Sequence, residues 1–129
     1  MEDLKKMSLK ELEDLCGDIR SEIIEVVCKN GGHLGPNLGV VELSTALHYV
    51  YNSPVDKIVW DVGHQSYVHK MLTGRRDRFH TIRKRGGLGP FTDPNESIHD
   101  QFISGHAGSA LSVSAGLAAA NPEKNVVVV

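Results

Sequence analysis

Four consecutive valines at 126–129 constrain the fold more than any other stretch of the chain. A strand with one face in water alternates apolar and polar residues, whereas an unbroken apolar run suits a strand covered on both faces, the usual situation in a parallel sheet between helices. Ile58-Val59-Trp60-Asp61-Val62, closed by Gly63, reads as a second strand of the same kind. Helical patterns separate the two, so the expected architecture is α/β, three layers with a parallel sheet. The valine run leads into no turn and no polar terminator. The expectation is that residues 1–129 form a single, incomplete unit whose sheet continues past Val129.

Ser8-Leu9-Lys10-Glu11 has the spacing of a capping box, and apolar residues recur from Leu9 through Leu12, Leu15, Cys16, Ile19, Ile23, Val26 and Val27. This predicts a helix over 8–29, ended at Asn30-Gly31-Gly32. A glycine-rich loop over 31–37 follows. A helix over 38–51 is next, with Val40, Leu43, Leu47 and Val50 or Tyr51 inward and His48 as a core or interface residue. Shorter helices are expected at 65–72 and 78–84, a small-residue helix packed closely on a neighbour at 109–120, and mostly loop over 86–104. A loop that long inside a compact domain is usually functional.

Cys16 and Cys28 fall in one helix, and twelve residues of helix separate them by about 18 Å, too far to pair. Free thiols and a charged N-terminus with no apolar core to it point to a cytoplasmic protein. No apolar run has the length of a membrane span. A net charge of −2 argues against nucleic acid as the partner. The basic stretch from Arg75 to Arg85, six cations in eleven residues, therefore reads as a solvated face or a subunit contact.

Three glycine–histidine strings carry the candidate chemistry. In Gly31-Gly32-His33-Leu34-Gly35 the glycines let backbone approach a ligand closely, and His33 titrates near neutrality, as a proton-transfer group must; the same string also suits a plain helix-to-helix turn. In Asp61-Val62-Gly63-His64-Gln65 a strand ends and a helix starts, the favoured place for ligands in α/β folds. There Asp61 could orient an imidazole, or His64 could simply cap the turn. Gly105-His106-Ala107-Gly108 opens the small-residue helix and could cradle a diphosphate. His64 and His69 lie five apart, off any shared helix face, and no protein-built metal site is expected here. His80 and His99 read as surface.

Read together, GGHLGPNLGVVELSTALHYVYNSP, KIVWDVGHQSYVHKMLTGRRDRF, GGLGPF and ISGHAGSALSVSAGLAAA resemble the 1-deoxy-D-xylulose-5-phosphate synthase family in order and spacing. The resemblance implies a transketolase-like fold, with residues 1–129 as the N-terminal part of the thiamine-diphosphate-binding domain. It implies an enzyme that condenses pyruvate with glyceraldehyde 3-phosphate, releasing carbon dioxide, early in isoprenoid synthesis, and a homodimer. It also implies a catalytic His33 near the reacting centre and cofactor contacts at His64, Gly105, His106 and Ala107. The magnesium ligands, in a Gly-Asp-Gly motif and a later asparagine, are expected beyond residue 129. One departure stands out: the family's Gly-His-Ser-Ser is Gly-His-Ala-Gly here, so Ala107 can offer only backbone. The 129-residue chain alone is expected to be inactive, the alternatives being a truncated, non-catalytic dimerisation or binding module, or the N-terminal subunit of a related transketolase.

Overall fold

The computed structural model of the chain describes residues 3–129. After a turn of 3-10 helix at Leu4–Lys6, helix α1 spans Leu9–Asn30, α2 Leu34–Leu38 and α3 Val41–Val50. Strand β1 is Lys57–Val59, α4 Tyr67–Lys70, α5 Ser109–Ala120 and β2 Val126–Val128. The capping box forms as the sequence predicts: Ser8 accepts from the Glu11 amide, while the Glu11 carboxylate accepts from the Ser8 amide at 2.7 Å. The two cysteines are free, Cys16 buried and Cys28 exposed.

β1 and β2 pair in parallel with Ile58 opposite Val127, and the ladder extends to Asp61 N–H donating to the Val129 carbonyl at 2.8 Å. The α/β class and the parallel sheet are thus present, as a two-stranded sheet among the described residues. Ile58, Val59 and Trp60 are buried, and α5 packs on both strands through Ala110 and Ser114. The valine run departs from expectation: Val126 and Val127 are half-buried and Val128 is exposed. Among the described residues, β1 is its sole partner in the ladder.

The main core lies between α1, α3 and the α4 segment, with Ile19, Ile23, Val41, Tyr67, Val68, Phe79, Ile82 and Leu88 at its centre. Burying a side chain of this size contributes about 1.5–3 kcal/mol. Two sequence expectations need correction here. Residues 34–38 form a short helix instead of an open loop, and α3 starts at Val41. The buried face of α3 is Val41, Ser44, Thr45 and His48, with Leu43 and Val50 exposed. The helix turns its polar stripe inward because His48 has a polar partner inside, which hydrophobicity alone does not reveal.

The chain after α4 widens into a turn over Met71–Arg75 that breaks helical geometry at Thr73 and Gly74, and then runs as 3-10 helix over Arg76–Thr81. The two helices expected at 65–72 and 78–84 are one interrupted segment. Residues 86–104 form irregular backbone, as predicted. A buried polar cluster pins them. Asp100 accepts from Arg75 at 2.8 and 2.9 Å, from His69 Nε2 at 3.0 Å and from the Asp93 amide at 2.8 Å. Glu96 accepts from Lys70, from Arg75 at 2.8 Å and from the Gly89 amide at 2.7 Å. Lys70, His69 and His48 are fully buried. The basic stretch is therefore only partly a solvated face: Arg75 is an internal anchor and Arg76 pairs with Glu22, while Arg78, Arg83, Lys84 and Arg85 are exposed. His80 is exposed as expected, but His99 is half-buried, 2.9 Å from the Ser53 hydroxyl.

Candidate functional site

The strand β1 exit sets the geometry of the site. Immediately after Trp60 the backbone folds sharply: Val62 has φ +58° and Gly63 φ +79°, and the Gly63 amide donates to the Asp61 carbonyl at 2.6 Å. A β-branched residue at positive φ is a genuine outlier, of a kind that clusters at functional sites. Gly63 is obligatory, since a Cβ there would lie 2.0 Å from Ser104 Oγ. This tight turn delivers His64.

His64 and His33 meet edge to face, with ring centroids 5.4 Å apart. Asn37, fully buried on α2, fastens both: its Nδ2 donates to the His33 carbonyl at 2.6 Å and to the His64 carbonyl at 2.7 Å. Its Oδ1 accepts from the Tyr67 amide at 2.9 Å. Tyr67 returns across the gap. Its hydroxyl accepts from the His33 amide at 3.3 Å and lies 3.4 Å from His33 Nδ1. Donation of the Tyr67 O–H to Nδ1 leaves the ring proton of His33 on Nε2. Gly32, at φ +143°, leaves room for this hydroxyl, since a Cβ there would sit 2.8 Å from it.

Phe91 closes the third side. Its ring centroid is 5.8 Å from that of His33, and the Gly105 Cα faces the same ring, with a Cβ there falling 3.8 Å from it. Ser104 Oγ bonds Thr92 Oγ1 at 2.8 Å. The loop entering α5 is thereby tied to the His64 turn through Ser104, and the three glycine–histidine strings converge on one cluster. His106 and Ala107 lie exposed at its edge.

Burial, the His64 ring and Arg83 together hold the His33 imidazole below the ordinary histidine range, so it is neutral at pH 7. His64 Nδ1 is buried and finds no hydrogen-bond partner among the described residues. An orphaned buried polar atom in a cluster of rings fits a ligand-binding role. Among the described residues no group of three or more His, Cys, Asp or Glu is placed to hold a metal ion. No described helix is long and apolar enough to cross a membrane.

Asp61 corrects one expectation. Its carboxylate touches no imidazole; it accepts instead from the amides of Gly108, 2.9 Å from both oxygens, and Ala110, at 3.2 Å. Tyr67, Asn37 and Phe91 were not among the predicted site residues. All three stand inside the family-like strings, but their roles depend on contacts across 27 to 58 residues.

Comparison with known proteins settles the family. The family model described as 1-deoxy-D-xylulose-5-phosphate synthase matches residues 1–129. The chain belongs to the 1-deoxy-D-xylulose-5-phosphate synthase family. It is 61% identical over 120 residues to the 1-deoxy-D-xylulose-5-phosphate synthase of Thermomicrobium roseum, covering 92% of this chain and 19% of that protein. It is 58% identical over 122 residues to that of Caldanaerobacter subterraneus subsp. tengcongensis, covering 95% of this chain and 20% of the relative. Identity to that of Azobacteroides pseudotrichonymphae is 55% over 120 residues, 93% of this chain and 19% of the relative. The chain thus spans about a fifth of the length of the curated relatives it matches.

Proposed function

We propose that the full-length protein is a thiamine-diphosphate- and magnesium-dependent 1-deoxy-D-xylulose-5-phosphate synthase of transketolase-like fold. On this reading residues 1–129 supply part of its cofactor-binding domain, and the magnesium ligands come from beyond residue 129. The observation that carries the reading is the convergence of His33, His64 and the Gly105 loop on one cluster, together with the unpartnered buried Nδ1 of His64. The relatives' names give the reaction class. The substrates are pyruvate and glyceraldehyde 3-phosphate, the location is the cytoplasm and the assembly is a homodimer.

When bound, thiamine diphosphate supplies the nucleophilic carbon and the electron sink. The chain's own residues do the rest. His64 and the backbone of Gly105, His106 and Ala107 hold the cofactor. His33 is neutral, and its Nε2–H can donate a hydrogen bond to the acceptor aldehyde's oxygen, stabilising the charge that develops there. Tyr67 and Asn37 fix the angle and tautomer of that ring, and Phe91 keeps water from its flank. With Ala107 in place of the family serine, no side-chain hydroxyl contributes at that point. A subset of a convergent site binds poorly, so the 129-residue chain alone has no synthase activity. The test is turnover of the two substrates with cofactor and magnesium: the full-length protein is active, and activity from the isolated chain would overturn the assignment of residues 1–129 as a partial site.

A further inference from the structure

Helix α5 starts at Ser109 behind Gly108, which has left-handed backbone, φ +85°, and no side chain to cap with. The amides of a first helical turn need acceptors from elsewhere, and the positive end of the helix favours an anion. A diphosphate would meet both needs. In this structure the protein meets them itself. Asp61, 47 residues away, places both carboxylate oxygens 2.9 Å from the Gly108 nitrogen and Oδ1 3.2 Å from the Ala110 nitrogen.

The geometry points to Asp61 as a positioning residue: its carboxylate, in place of the cofactor's phosphates, fills the amide end of α5 and fixes the 105–107 loop beside the His64 turn. The inference rests on the cofactor reading above. Asp61 and Gly63 are two residues apart on the strained turn at the end of β1, and each holds one end of the loop. Gly63 is packed under Ser104, which Thr92 also binds, and Asp61 takes Gly108. Residues 105–107 are strung between these two anchors, with Gly105 against Phe91. The turn that aims His64 and the loop that offers backbone to the cofactor therefore move as one piece. This also accounts for the departure at 107–108. With Ala and Gly where the family has two serines, no hydroxyl stands at the capping position; Ser109 Oγ donates back to the His106 carbonyl at 3.2 Å, and the remote carboxylate carries the capping. Its bonds from Gly108 and Ala110 hold the Asp61 carboxyl below the usual carboxylate range, so the cap is ionised at neutral pH.

The consequence has a sign. If Asp61 supports the loop, removing its charge weakens cofactor binding. If the phosphates are meant for the α5 amides, Asp61 competes with them, and neutralising it tightens binding. The experiment uses the full-length protein and its Asp61→Asn, Asp61→Ala and Asp61→Glu variants. Hydrogen–deuterium exchange by mass spectrometry is read on peptides covering 105–111, with α1 as internal control. The expected result is exchange about fivefold faster at 105–111 in Asp61→Asn and Asp61→Ala, the equilibrium equivalent of one lost helix cap. Part of that protection returns in Asp61→Glu, and α1 is unchanged. Thiamine diphosphate titration shows a weaker Kd for Asp61→Asn than for the unsubstituted protein. Unchanged exchange at 105–111, loss of protection shared equally by α1, or tighter cofactor binding by Asp61→Asn would each overturn the assignment. Failure of the unsubstituted protein to bind thiamine diphosphate would overturn the cofactor reading instead, and the exchange data still decide whether Asp61 caps α5.

Discussion

Replacing Asp100 by Asn tests what holds the 86–104 loop. Asp100 is buried and accepts four hydrogen bonds, two from Arg75, one from His69 and one from the Asp93 amide. Burial alone would raise its carboxyl, but hydrogen bonds and charge from His69 and Arg75 outweigh that and hold it well below the ordinary range. The asparagine has nearly the same shape. Its amide nitrogen must face a donor on at least one side, either Arg75 and the Asp93 amide or Arg75 and His69. Arg75 keeps Glu96 and Thr73 but loses half of its neutralisation in a site almost free of water. Breaking a buried pair by removing one partner costs about 3–5 kcal/mol. With a slope near 1.5 kcal/mol per molar urea, the unfolding midpoint of Asp100→Asn falls by about 2–3 M. The chain's one tryptophan is a suitable reporter, because buried Trp60 sits 5.6 Å from the His69 ring. By contrast Lys70→Met leaves Glu96 with Arg75 and the Gly89 amide and costs less than Asp100→Asn. A midpoint for Asp100→Asn within about 0.5 M of the unsubstituted chain would refute the claim that this carboxylate anchors the loop.

Other expectations follow from the same geometry. Asn37→Ala strands the His33 and His64 carbonyls and the Tyr67 amide, and at about 1 kcal/mol or more for each lost partner it destabilises by about 3 kcal/mol; calorimetry checks this. Gly63→Ala meets both a positive φ and the Ser104 hydroxyl, so cofactor binding is lost before global folding, visible as a failed thiamine diphosphate titration on a protein with native circular dichroism. Acid stability is set partly by buried histidines. Burial, then His69, push His48 down to about 3, and burial outweighs Asp100 in lowering His69. The unfolded chain then binds protons that the folded one refuses. Stability is full above pH 6.5 and falls as pH drops below it, each histidine adding a slope approaching 1.4 kcal/mol per pH unit. Urea midpoints between pH 7 and 4.5 read this, and a rise in stability over that range would contradict it.

Much of the fold is legible in local pattern. The capping box, the period of α1, the valine strand and the small-residue helix at Ser109–Ala120 each arise from residues a few positions apart. What local pattern cannot show is why a polar stripe of α3 faces inward. His48 Nε2 meets His69 Nδ1 at 2.9 Å, and His69 is held by Asp100 from a loop with no periodicity. Burial of charge is decided by partners distant in sequence, so Arg75 reads as surface until Asp100 is placed beside it. The site divides the same way. The glycine–histidine strings mark where ligand chemistry belongs, because glycine and histidine are chosen for backbone freedom and titration. Asn37, Tyr67 and Phe91, which aim and enclose the rings, are ordinary residues made special by contact alone. Asp61 is the sharpest case, since its place at a strand end suggests partnership with an imidazole, and the nearest unsatisfied donors prove to be helix amides.

On the proposed function, His33 donates the Nε2–H hydrogen bond to the acceptor substrate and stands apart from the groups that hold the cofactor. The most direct measurement is steady-state turnover of pyruvate and glyceraldehyde 3-phosphate by the full-length protein and its His33→Gln variant, with thiamine diphosphate affinity determined on the same preparations. The prediction is a fall in kcat of about 10²–10⁴, with the cofactor Kd little changed. Turnover by His33→Gln within about twofold of the unsubstituted protein, at saturating cofactor, would contradict it.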